Sequence, residues 1–161
     1  MKKDTQKYFY ILFLFLSFFI LESCGYKPLL NEKYKQFNIE KYKVSGDKRI
    51  AQILINNLGT SKKGENNLFI NVNAKKERTI SNKSTSGKIL EYKISLIFNV
   101  TAKELIDEKT VLSKKFYEES KYKAATLYLD TLNTEKKIID SLAEIIANRL
   151  LNELSLIYRE K

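Results

Sequence analysis

The stretch Leu90-Glu91-Tyr92-Lys93-Ile94-Ser95-Leu96-Ile97-Phe98-Asn99-Val100-Thr101-Ala102 decides how the chain folds. Leu90, Tyr92, Ile94, Leu96, Phe98, Val100 and Ala102 fall on one side, with Glu91, Lys93, Ser95, Asn99 and Thr101 on the other. Successive side chains of an extended backbone point to opposite faces, so an alternation sustained this long specifies a strand with one buried side. Such a strand belongs in the middle of a sheet.

Upstream, Leu68, Ile70, Val72 and Ala74 alternate with Phe69, Asn71, Asn73 and Lys75, which predicts a second half-buried strand after a loop at 64–67. The polar segment 76–88 reads as a connection between antiparallel strands, with room for the ribbon to extend into it. Further back, Lys48 to Leu58 places Ile50, Ile53, Leu54 and Leu58 on one helical face, with Asp47 as N-cap and Gly59 as the stop. Phe37 to Val44 begins another strand, whose alternation changes phase before Tyr42 and so predicts a bulge or a strand end.

Downstream, Asp107-Glu108-Lys109 makes a turn, and Val111 to Glu119 reads as a fourth strand. A connection over 121–130 leads to a long helix capped at Asn133 or Thr134. Its apolar stripe is Ile138, Ile139, Leu142, Ile145, Ile146, Leu150, Leu154 and Ile157, opposite Lys136, Lys137, Asp140, Glu144 and Asn148. Two amphipathic helices and a sheet with one apolar face bury each other. The expected class is α+β, a two-layer αβ sandwich in β-α-β-β-β-α order, with both helices on one face of a mainly antiparallel four-stranded sheet.

The 161 residues are enough for one such core and too few for two. With no histidine and one cysteine, the usual zinc, copper and haem ligand sets and the histidine-dependent catalytic triads cannot be assembled, and no disulfide can form within the chain. The acids are scattered, so no enzyme and no cofactor is expected. Lys and Arg total 29 against 19 Asp and Glu, a net charge of +10. That surplus favours anionic partners or reflects a solvated lysine-rich surface.

The amino-terminal segment narrows the choice. Lys2, Lys3 and Lys7 precede a 14-residue apolar run from Tyr8 to Leu21, the plan of an export signal. Such a run makes about 21 Å of helix, short of the ~30 Å hydrocarbon core. Leu21-Glu22-Ser23-Cys24 then has the shape of a bacterial lipobox, although Glu22 stands where a small or apolar residue is usual. Processing there would place lipid on the Cys24 thiol and an acyl chain such as palmitate on the new amino terminus. An uncleaved anchor and a buried structural cysteine are the other readings. The expected organisation is a lipoprotein signal peptide at 1–23, a lipidated tether at 24–36 and the sandwich at 37–161. Export removes nucleic acid from the partners.

Cys24-Gly25-Tyr26-Lys27-Pro28-Leu29 resembles the opening of the LPS-assembly lipoprotein family, the LptE type, and the order of elements over most of the chain agrees. Leu30 departs from the aromatic often found there in the family. The resemblance implies an outer-membrane lipoprotein on the periplasmic side, held to the membrane by its lipid anchor. It further implies assembly with, and plugging of, a β-barrel of the LptD type, and contact with lipopolysaccharide during delivery to the cell surface. An auxiliary lipoprotein of another envelope transport complex, facing the periplasm, is the alternative. Candidate contacts for glycolipid phosphates are Lys75, Lys76, Arg78, Lys83 and Lys88, which equally describe a solvated hairpin end. Tyr117 and Tyr122 read either as partner-facing aromatics or as sheet packing.

Overall fold

A computed structural model of the chain describes residues 36–59, 64 and 66–159. The proposed signal peptide, Cys24 and nearly all of the tether lie outside the described residues. The order is β1 (Phe37–Gly46), α1 (Lys48–Leu58), β2 (Asn66–Lys83), β3 (Ile89–Glu104), β4 (Thr110–Lys123) and α2 (Tyr128–Arg159). The sheet has the order β1-β2-β3-β4, parallel between β1 and β2 and antiparallel elsewhere. A parallel pair requires a crossover, and α1 supplies it.

The bulge predicted in β1 is present: the register with β2 slips between Ile39 and Lys41, leaving Glu40 over. At its end Gly46 has φ +71° and lies against Ala74, whose carbonyl oxygen accepts from the Asp47 amide at 2.8 Å. A Cβ at residue 46 would collide with that same oxygen. Asp47 then caps α1 as expected, its side chain accepting from the Ile50 amide, and Gly59 ends the helix at φ +66°.

One side of the sheet is covered by both helices. Leu68, Ile70 and Val72 of β2, and Ile94, Leu96, Phe98 and Val100 of β3, are buried against Ile50 and Leu54 of α1 and Ile146, Leu150 and Leu154 of α2. The buried side of α2 is broadened by Ala143, Ala147 and Leu151, and Ile145 is left outside it. Small alanines let the helix approach closely, which moves the buried stripe slightly around its axis.

Three boundaries differ from the sequence reading. The segment 76–88 is mostly strand: β2 runs to Lys83, and only a tight turn closed by Ser84 and Gly87 joins it to β3. Its polarity reflects exposure on a projecting ribbon, and polarity alone does not separate exposed strand from loop. β4 likewise continues four residues past Glu119, pairing as far as Lys123 with Glu91. The long helix begins at Tyr128, well before the expected cap at Asn133 or Thr134. The Leu127 carbonyl accepts from the Asp130 and Thr131 amides at 3.2 and 3.3 Å, and a leucine provides no capping signal in the sequence.

Candidate functional site

The five basic residues singled out in the sequence do not form one patch. Lys75 lies on the sheet face away from the helices, where its Nζ is 2.7 Å from Glu77. Lys76 and Arg78 alternate with it and face the helix side. Lys83 ends β2 and Lys88 follows the turn, both exposed at the hairpin end. The period of two of β2, which runs on through this segment, separates them.

Lys76 and Arg78 meet a carboxylate that the sequence reading placed nowhere. Glu135, 6% exposed, takes Lys76 Nζ at 3.1 Å and Arg78 Nε at 3.2 Å, and accepts from the Tyr122 hydroxyl at 2.8 Å. Arg78 Nε also donates to the Tyr122 oxygen at 3.0 Å and its guanidinium lies 3.9 Å from the centre of the Tyr92 ring. Tyr92 and Tyr122 stack at 5.6 Å across β3 and β4. Burial disfavours charge on Glu135, but the Tyr122 hydroxyl, Lys76 and Arg78 more than offset it and hold the carboxyl below the ordinary range. For Tyr122, burial and then the Glu135 carboxylate push the hydroxyl up to about 12.

A signal for this cluster was present. Glu135 is four residues before Ile139 and seven before Leu142, in phase with the buried stripe of α2. A carboxylate in that position demands basic partners, because an unpaired buried charge is costly. Which strand would provide them was not readable. Tyr122 is buried in this cluster, whereas Tyr117 stands half exposed on the open sheet face and donates to Glu119.

The open face of the sheet is polar and mostly basic. Lys41, Lys43, Lys103, Lys115 and Lys121 are exposed there, and Glu119 is engaged by Tyr117 and Lys93. On the helix side, a shallow groove of about 560 Å³ runs between α1 and α2, lined by Arg49, Ile53, Leu132, Lys136, Ile139 and Asp140. Among the described residues no group of three or more His, Cys, Asp or Glu could hold a metal ion, and no helix is long and apolar enough to cross a membrane.

No family model and no curated protein matches the sequence. The fold does match solved structures. It is similar to rare lipoprotein B from Shewanella oneidensis, with a TM-score of 0.53 and 12% identity over 71% of this chain and 93% of that one. It is also similar to a minor lipoprotein from Acinetobacter baumannii, with a TM-score of 0.51 and 13% identity over 76% and 92% of the two chains. A third match is an uncharacterized lipoprotein B from Nitrosomonas europaea, with a TM-score of 0.51 and 13% identity over 75% and 85%. At these identities the shared property is the α+β fold, which this chain has in common with bacterial lipoproteins.

Proposed function

We propose that the chain is a lipid-anchored envelope protein acting as the LptE-type component of a lipopolysaccharide translocon. In this reading it is held at the periplasmic side of the outer membrane through Cys24. It assembles with and plugs a β-barrel of the LptD type, and it contacts lipopolysaccharide without catalysing a reaction. The observation that carries the reading is the shared fold with bacterial lipoproteins in a chain that also has Cys24-Gly25-Tyr26-Lys27-Pro28-Leu29 after an export-type leader.

In this reading the five candidate glycolipid contacts are not equally suited. Lys76 and Arg78 are engaged by Glu135, so Lys83 and Lys88, exposed at the hairpin end, are the better placed to meet phosphate. Lys75 points to the other face of the sheet.

The test is purification of the tagged chain from envelope membranes. Mass spectrometry should find an acylated amino-terminal Cys24, and a lipopolysaccharide-pathway barrel should co-purify. Retention of glycolipid should fall in the variant carrying Lys83→Glu and Lys88→Glu. Acylated protein recovered repeatedly with components of a different transporter, and without that barrel, would instead assign it to another envelope complex.

A further inference from the structure

The start of α2 and the β2–β3 hairpin lie at the same end of the sandwich. The Ala124 amide donates to the Leu90 carbonyl at 2.9 Å, and Glu135, two turns into α2, holds Arg78 of β2. Leu127, Tyr128 and Leu129 open the helix there with 65%, 63% and 71% of their surface exposed, and Leu132 is exposed one turn on. Ile80 and Leu90 on the hairpin are exposed as well. Six of the eleven large apolar side chains exposed among the described residues thus belong to this end. Scattered exposed leucines are ordinary, but a concentration of them calls for an occupant.

Charge indicates which occupant. Lys83 and Lys88 border the hairpin turn, and Lys121 and Lys123 end β4 just before the apolar run, all four exposed. The acids near them are Asp130 within the run and Glu91 opposite Lys123. The centres of protein interfaces are depleted in lysine, whereas Leu127, Tyr128 and Leu129 stand mostly exposed within a lysine border. Protruding leucines, a tyrosine and a lysine rim suit the boundary of an anionic bilayer. There the aliphatic groups reach the acyl region while the lysine stems extend to the headgroups.

We propose that this end of the domain inserts Leu127, Tyr128 and Leu129 into the surface of an anionic phospholipid leaflet. The insertion orients the sandwich, with α2 directed away from the membrane. It requires a membrane facing the domain and does not depend on the barrel partner or on glycolipid.

The chain contains no tryptophan, so Leu129→Trp places a single tryptophan, excited selectively over the tyrosines, at the tip of the full-length protein. With vesicles of phosphatidylethanolamine and phosphatidylglycerol, its emission should shift to shorter wavelength and be quenched by brominated acyl chains. Tyr128→Trp should behave alike. Leu156→Trp, 55% exposed near the far end of α2, should do neither, even where the leader or lipid anchor holds the chain on the vesicle. Adding Lys121→Glu and Lys123→Glu to L129W should reduce the quenching. Unshifted, unquenched emission from both tip variants, or equal quenching of L156W, overturns the proposal. So does a shift seen only when the vesicles contain glycolipid, which would assign the tip to that ligand. A shift that follows protein concentration without vesicles assigns it to a second copy of the chain and also overturns it.

Discussion

Glu135 shows how one residue can reverse the reading of its neighbours. Lys76 and Arg78 looked like free cations in a polar connection, yet both end on this carboxylate beneath the start of α2. The pairing gives a signed pH dependence. The folded state holds the Glu135 carboxyl below its ordinary value, so its contribution is fully present above the unfolded value of about 4.3 and is lost as pH falls below it. Tyr122 has the opposite sense. Its contribution is complete below about pH 10 and is lost as pH rises through about 12. Glu135→Gln should therefore flatten the acid limb of the stability profile. It should also cost about 1–3 kcal/mol at neutral pH, since the two cations lose their counter-charge and one of the two acceptor oxygens becomes an amide nitrogen that cannot accept. Urea unfolding of parent and variant at pH 7 and pH 3.5 measures this, and an undiminished acid limb in the variant would place the titration elsewhere.

At the scale of elements, the turn from β1 into α1 was legible because its requirements are local. Gly46 occupies a left-handed conformation against the Ala74 carbonyl, and Asp47 caps the helix that follows. Gly46→Ala must accommodate both the positive φ and a Cβ driven onto that oxygen. The expected cost is about 1–3 kcal/mol, read as a lower urea midpoint with an unchanged slope. An unaltered midpoint would mean that β1 can lift from β2 at that point without loss. The start of α2 was not legible for the complementary reason. Its first turn carries Leu127, Tyr128 and Leu129 outward and has no side-chain cap, so the periodic stripe became recognisable only at Ile138. The contacts between β4 and α2 are similarly hidden. Lys114 meets Glu153 at 2.6 Å and Arg149 meets Glu118, partly exposed pairs that align the two elements and contribute little stability.

For the whole molecule, the absence of histidine has a measurable consequence. No side chain type in the described domain ordinarily titrates near neutrality, so folding should be almost indifferent to pH between about 6 and 7.5. Thermal melts across that interval should agree within about 2–4 °C, the shift expected for roughly 1 kcal/mol in a chain of this size, and a larger change would reveal a carboxylate with a strongly raised pKa. The two faces of the sandwich also differ: helices cover one, and the other presents a polar, lysine-rich sheet. Edge strands β1 and β4 carry Lys41, Lys43, Lys114, Lys115, Lys121 and Lys123, charges that oppose further strand addition. The sequence by itself determined the αβ sandwich, the central strand, the change of phase within β1 and the capped helix that follows it. Each follows from a period of two or 3.6 or from backbone chemistry confined to a few neighbouring residues. Only the tertiary structure decided that β1 pairs in parallel with β2, that the five basic residues divide between two faces and a hairpin end, and that Glu135 claims two of them. Those outcomes depend on which distant segments become neighbours, and the chain's local pattern does not encode its partners.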